Sequence, residues 1–401
     1  MTRRAFRVPT RIYVRLVAYL AACWAAVAIV VDGVSPFGIA VTLALALYTA
    51  FPLFLFLRSG GWPFYPTAAF RLWVVRPFWY MQAMLPLVAI GATLGLLVGF
   101  PFGHAVATGR LIAAMIATLM MLLYVAGYIG SRRLVVHEVD VSIPTLPPAF
   151  DSVTIAQITD LHVGPQTSRR YLRRVADAVR SLAPDVIAVT GDLIDDRPED
   201  VADYASAFAD LRAPLGVFVI AGNHEVYSGW DDVERALRER GLGTLLLNET
   251  VILRRGGSEL YLAATGDPAG RQFGASPVAP DIARTLGGVP KGAAVIALAH
   301  NPSLWPALAD RGVSLTLSGH THWGQFAFPG IGWSLASPFL EHAMGAYQEG
   351  DALLYVAPGT GYWGIPFRIG APSEVTLLRL RRGPAAFRER GRKNTSRRPR
   401  Q

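Results

Sequence analysis

The spacing of apolar residues changes near residue 133. Before it, they come in long unbroken runs; after it, in short runs separated by polar turns. Between Arg15 and Asp32 lie 16 uncharged residues, Gly33–Leu57 supplies 25, Phe78–Phe100 supplies 23 and Leu111–Ser131 supplies 21. A helix needs about 20 apolar residues to cross the hydrocarbon core, so the last three runs suffice as they stand. The first reaches that length if Arg15 snorkels and lends Tyr13 and Val14 to the span. The pattern predicts four transmembrane helices. A cleaved leader is the competing reading of the first, since Arg3, Arg4 and Arg7 form a basic n-region, but three spans directly after it favour an anchor.

After Pro144, Pro147 and Pro148, β-rich runs alternate with helical ones. Strands are expected at Val153–Thr159, Val186–Thr190, Val217–Ala221, Leu260–Ala264, Ala294–Ala299, Ser314–Leu317, Leu353–Ala357 and Glu374–Leu380. Ser168–Leu182 carries Leu172, Val175, Val179 and Leu182 at helical spacing. This predicts an α/β domain large enough to bury a core.

Composition sharpens the division. The chain has 401 residues, 52% hydrophobic and 17% charged, which excludes a disordered protein. Its net charge of +9 splits into +8 for residues 1–150, −7 for 151–380 and +8 for 381–401. The expected organisation is therefore a four-helix anchor over 1–133, a linker over 134–150, a globular domain over 151–380 and a basic, disordered tail over 381–401. Cys23 is the only cysteine, so neither an intramolecular disulfide nor a thiolate zinc cluster is available.

With the N-terminus inside, the cytoplasmic flanks of the spans hold Arg3, Arg4, Arg7, Arg11, Arg15, Arg58, Arg71, Arg76, Arg132 and Arg133, against Arg110 alone outside. This positive-inside bias predicts a multi-pass cell-membrane protein whose region after residue 133 is cytoplasmic. The stretch Trp62–Trp79 interleaves aromatics with arginine and proline, as an interfacial segment or a loop with belt aromatics would. No span carries an internal acidic residue, and His104 falls in an outer loop, so an anchor is expected rather than an ion path. For the basic tail, anionic lipid headgroups are the expected partner and nucleic acid is not.

Candidate chemistry lies at the strand ends. Asp160 and His162 follow the first strand of the globular part, Asp192 the second, Asn223 and His224 the third, His300 a later one, and His320 and His322 another. A lone Asp after a strand is usually a turn former or helix cap, and a lone His a satisfied core residue. Convergence of five such turns leaves that explanation little room, because open α/β folds build their sites at the carboxyl ends of strands. His320 and His322 add weight, since alternate residues of an extended segment point to one side. Nitrogen and oxygen donors without thiolate suit Mn, Fe, Zn or Ni. Asp195 and Asp196 read as helix-start acids or a solvated turn, outside the site.

The blocks Thr159-Asp160-Leu161-His162, Gly191-Asp192, Gly222-Asn223-His224-Glu225, His300-Asn301-Pro302 and Gly319-His320-Thr321-His322 resemble, in order, the five motifs of the calcineurin-like metallophosphoesterases. Gly324-Gln325 and Gly359-Thr360-Gly361, running on to Arg368 and Glu374, are similar to a membrane-associated, YkuE-like branch. The resemblance implies a β-sandwich flanked by helices and a dinuclear centre between its sheets. Asp160, His162 and His322 would bind one divalent metal, Asn223, His300 and His320 the second, and Asp192 would bridge them. Metal-activated hydroxide would then attack the phosphate ester, with His224 beside the metals as general acid or electrostatic stabiliser. Arg368 is a candidate for contacting phosphate, or else an exposed structural arginine. Trp323 stands where that branch usually has glycine, and its indole is expected to line the site.

These features point to a membrane-anchored phosphoesterase acting on a phosphodiester of a membrane-associated or lipid-linked substrate, with the bilayer as partner. Two alternatives remain: a tethered enzyme for soluble nucleotides or phosphoproteins, and a non-catalytic sensor or scaffold.

Overall fold

The computed structural model describes residues 10–32, 36–58, 68–164, 166–272 and 277–395. Arg3, Arg4 and Arg7, the aromatics Trp62, Phe64 and Tyr65, and the last basic residues Arg397, Arg398 and Arg400 lie outside the described residues. The chain forms two compact units, Met1–Ala126 and Gly127–Gln401.

The first unit is helical: Thr10–Asp32, Pro36–Arg58, Arg76–Gly99 and most of Ala105–Ser131. Among the described residues, two helical stretches, Trp73–Phe102 and Ala105–Ser131, are long and apolar enough to cross a membrane; the apolar parts of the first two helices, Val17–Ile29 and Pro36–Pro52, are shorter. All four expected runs are thus helices, but only two meet the length criterion. The stretch expected to lie along the headgroups is helical from Ala68 onward, with a π-helical turn at Arg71–Val75. Trp24 donates its indole N–H to Thr49 Oγ1 at 3.2 Å, which satisfies both polar groups inside an apolar unit. Gly95 faces Gly109 so closely that a Cβ on it would come within 2.6 Å of the Gly109 Cα, the small-residue contact by which apolar helices associate.

The second unit is an α/β domain with two mixed sheets. Its strands are β1 (Leu134–Ile143), β2 (Thr154–Ile158), β3 (Val186–Thr190), β4 (Val217–Ile220), β5 (Thr244–Leu245), β6 (Glu249–Arg255), β7 (Ser258–Ala264), β8 (Val295–Leu298), β9 (Leu315–Ser318), β10 (Ala327–Phe328), β11 (Trp333–Ser334), β12 (Gly345–Glu349), β13 (Ala352–Val356), β14 (Ser373–Arg382) and β15 (Ala386–Asn394). The sheet orders are β15-β1-β14-β2-β3-β4-β5 and β12-β13-β9-β8-β7-β6, with β10 and β11 as a separate pair. Every strand expected from the sequence is present within two residues at either end, and the expected helix is Arg169–Leu182, capped by Ser168 Oγ. Ile155, Ala188 and Ile220 of one sheet pack with Leu262, Ile296, Leu298 and Leu317 of the other, forming the sandwich core. Val175 and Val179 of Arg169–Leu182 cover the outer face of the first sheet, and Leu304 and Leu308 lie against the second.

Two boundaries expected from the sequence are corrected. Of the expected linker over 134–150, residues 134–143 are strand β1, which pairs in parallel with β14 along its whole length. The expected tail over 381–401 is not disordered throughout: β15 pairs antiparallel with the other edge of β1. The tail lacks hydrophobic period because it forms an exposed edge strand, held by backbone bonds and by acids on its neighbour. Lys393 Nζ lies 2.5 Å from Glu138 Oε1, and Arg390 Nη1 lies 3.4 Å from Asp140 Oδ1.

Candidate metal centre

The parallel strands β2, β3 and β4 of one sheet and β8 and β9 of the other bring their carboxyl ends to one place. Gln157 ties the sheets together there, donating Nε2–H to Thr190 Oγ1 and to the Ser318 carbonyl, both at 3.0 Å. Beyond each strand the chain turns sharply. Asp160 (φ 52°), His162 (φ 44°), Asp192 (φ 50°), His320 (φ 70°) and His322 (φ 49°) all adopt left-handed backbone. Such conformations are costly away from glycine and persist where surrounding structure enforces them. Two glycines make room: a Cβ on Gly222 would meet Asp192 Oδ1 at 2.3 Å, and one on Gly319 would meet Asp160 Oδ2 at 2.1 Å.

All eight residues singled out beside the strands converge. Asp160, His162 and His322 form one group able to hold a cation, Asp192, His300 and His320 another, and His162, Asp192 and His224 a third; ligand atoms within each lie within 4.8 Å of one another. Asn223 Oδ1 stands 3.1 Å from His300 Nε2 and 2.8 Å from His320 Nδ1. His162 Nε2 is 2.9 Å from His322 Nε2, and His322 Nε2 is 3.3 Å from Asp160 Oδ1.

The donor set fits a cation. His300 Nδ1–H donates to the Thr190 carbonyl at 2.8 Å, which turns Nε2 into the site. That nitrogen faces Asp192 Oδ2 at 3.2 Å and Asn223 Oδ1 at 3.1 Å, two oxygens that positive charge on or beside Nε2, a proton or a cation, would satisfy. Burial opposes charge on His300, yet Asp192 and Asp160 outweigh it and hold the ring well above the usual histidine range. The field that draws a proton onto this nitrogen equally draws a divalent cation. Burial and the neighbouring His300 hold His320 down at about 4. Burial, His162 and Arg368 hold His322 well below the usual range, so both rings are neutral, as metal ligands must be.

His224 is placed differently. Its backbone N–H donates to Asp192 Oδ1 at 2.9 Å, and its Nδ1–H to the Asp195 carbonyl at 2.6 Å. Nε2 is the ring nitrogen outside these two bonds.

Three contributors escaped the sequence reading. Asp195, set outside the site from sequence, orients two histidines: its carbonyl holds His224, and its carboxylate lies 3.2 Å from His162 Nδ1. Glu225 is fully buried and accepts from the N–H groups of Asp192 (2.9 Å), Ile194 (3.1 Å) and Gly222 (2.7 Å), joining the turns after β3 and β4. Its place beside Asn223 and His224 was the available signal. Asp267 follows β7, is buried, and accepts from the Ala269 N–H while Oδ2 has no hydrogen-bond partner. Burial raises its carboxyl to about 6.

Two expectations are corrected. Arg368 is neither exposed nor free for phosphate: it is 2% exposed, and donates to the carbonyls of Gly361 (2.9 and 2.6 Å) and Ala371 (3.0 Å). Trp323 turns away from the centre. Its indole N–H donates to the Val356 carbonyl at 2.8 Å, and its ring packs with Ala327 and Ala371. Its backbone φ of 51° accounts for the glycine expected at this position. Glu374 is also structural, accepting from the hydroxyls of Tyr355 and Thr376, both at 2.8 Å.

A calcineurin-like phosphoesterase family model matches residues 153–324. An uncharacterized metallophosphoesterase of Campylobacter jejuni is 35% identical over 249 residues, covering 61% of this chain and 63% of that protein. A Danio rerio transmembrane protein with metallophosphoesterase domain is 31% identical over 291 residues, covering 69% and 65%. The metallophosphoesterase YkuE of Bacillus subtilis is 30% identical over 266 residues, covering 64% of this chain and 90% of its own length. The chain thus spans less than two thirds of the first two relatives and nine-tenths of the third.

Proposed function

Because this chain belongs to the calcineurin-like phosphoesterase family, we propose that it is a membrane-anchored, metal-dependent phosphoesterase. The observation that carries this reading is the convergence of Asp160, His162 and His322 and of Asp192, His300 and His320, with Asn223 Oδ1 3.1 Å from His300 Nε2, on one buried place suited to divalent cations. Asp160, His162 and His322 would hold one divalent ion and Asn223, His300 and His320 the other, with Asp192 common to both. Mn, Fe, Zn and Ni all suit these donors. When bound, two such ions neutralise phosphoryl oxygens and activate water.

The chain's own residues do the rest. His224 would face the substrate through Nε2: with Nδ1–H held by the Asp195 carbonyl, the imidazolium gives its Nε2 proton to the departing ester oxygen and is left as the neutral ring. Asp195 fixes the ring of His162 from behind and so aims Nε2 inward. Glu225 keeps the turns carrying Asp192 and Asn223 at fixed separation.

Membrane anchoring is supported by two apolar helices and by relatives named as transmembrane proteins. A four-span arrangement with the site in the cytoplasm rests on the uncharged runs and the arginine bias. A site held at a bilayer meets lipid-borne phosphates at high effective concentration, which favours a membrane-associated or lipid-linked phosphodiester as substrate. The test is turnover of p-nitrophenyl mono- and diesters by the purified chain, with Mn²⁺ added or chelated. Metal-dependent turnover is expected; no turnover with any of the four metals would leave the scaffold reading in its place.

A further inference from the structure

Among the described residues of 132–395, eight large apolar side chains are exposed, and six of them fall in two short segments: Phe328, Ile331, Leu335, Phe339, Leu340 and Trp363. Ile331 is 78% and Phe339 81% exposed, values at which a soluble surface gains nothing from keeping them. No Asp, Glu, Lys or Arg occurs from Gly312 to Leu340, nor from Ala352 to Phe367. This apolar surface is a built feature. The excursion that carries it leaves directly after His322, through β10 and β11, and is fixed to the second segment by Gln325, which exchanges two hydrogen bonds of 3.0 Å with the backbone of Trp363.

Its position favours one partner. A run of aromatic contacts leads from the excursion to the last turns of the apolar helix Ala105–Ser131. Phe328 and Trp333 pack on Phe326 (5.2 and 6.5 Å between centroids), Phe326 stacks on Phe367 at 6.4 Å, and the Phe367 ring lies against the backbone of Gly127. The Arg368 N–H donates to the Gly127 carbonyl at 2.9 Å, so backbone as well as rings holds this junction. Tyr128 and Ile129 are exposed in those same turns, and Arg132 and Arg133 follow. An apolar, aromatic-rich surface continuous with the end of a membrane-crossing helix sits where headgroups meet acyl chains.

We propose that the 326–340 excursion and Trp363 form a membrane-inserting surface, which seats Ile331 and Phe339 in the lipid interface beside the metal centre. The inference rests on the membrane-anchored reading but not on catalysis. Such seating lets a lipid phosphate reach the centre from the bilayer without passing through water.

The experiment uses the full chain in phosphatidylcholine liposomes with Cys23→Ser as background. A single cysteine is introduced as Ile331→Cys, Phe339→Cys or, as a control on the far edge strand β6, Ile252→Cys, and labelled with the environment-sensitive NBD fluorophore. Labels at 331 and 339 should show blue-shifted emission that spin-labelled lipid quenches, while the label at 252 shows neither. Emission at 331 and 339 matching that at 252 would overturn the proposal. A blue shift without quenching by lipid would also overturn it, in favour of a second copy covering the surface. Turnover of a soluble p-nitrophenyl ester by the same samples separates failure of this inference from failure of the enzymatic reading.

Discussion

At the scale of residues, five of the seven proposed ligands hold left-handed backbone, at a cost of order 1–3 kcal/mol each. Strain gathered at one place, and balanced by the packed sheets around it, marks where the fold serves chemistry. His224 is proposed to donate a proton without ligating metal, so His224→Ala should keep metal content while turnover falls roughly 10²–10⁴-fold. The loss should shrink for p-nitrophenyl esters, whose leaving group needs less protonation; equal loss for all esters would assign His224 an electrostatic role. Arg368→Ala should instead act on the fold. Removing a buried guanidinium that satisfies two carbonyls should lower stability by about 1–3 kcal/mol for each carbonyl left without a partner, read as a lower unfolding midpoint in detergent. A raised KM with an unchanged midpoint would restore Arg368 to the substrate. The eight residues that converge were legible because each directly follows a strand. Asp195 was not, since it works partly through a backbone carbonyl that every residue has, and Trp323 misled because sequence does not say which way an indole turns.

Among the elements, the strands that position the centre carried short, uninterrupted apolar runs and were readable. The edges were not. In β1, Val139, Val141 and Ile143 face the sandwich while Glu138 and Asp140 meet the basic residues of β15, so the alternation was present but the prolines after it suggested a linker. β15 has almost no buried side chain, and its place is set by a neighbour 250 residues away in sequence. A chain ended after Arg382 should lose the β1–β15 pairing and unfold at least ~2–4 °C lower, the shift expected per kcal/mol in a domain of this size. An unchanged midpoint would mean that β15 contributes nothing to stability. The glycines after β4 and β9 are equally tied to the site, because a side chain there would displace Asp192 or Asp160.

At the scale of the whole molecule, one chain carries an apolar helical unit and a phosphoesterase domain with an exposed apolar surface. The arginine bias predicts that protease added to intact cells leaves residues 134–395 uncut; cleavage there would place the site outside. Removal from the bilayer into detergent should lower turnover of a lipid phosphodiester much more than that of a soluble ester, and equal effects would reduce the helices to a tether. The proposed chemistry requires two divalent ions, which Asp192 would help to hold. It is tested most directly by titrating Mn²⁺ into the metal-stripped full chain and its Asp192→Asn variant, with bound metal counted by elemental analysis and turnover measured at each step. About two ions per chain are expected, with turnover rising as they bind, and both metal and turnover are expected to be lost in the variant. Full metal binding by Asp192→Asn, or turnover that ignores the metal, would contradict this.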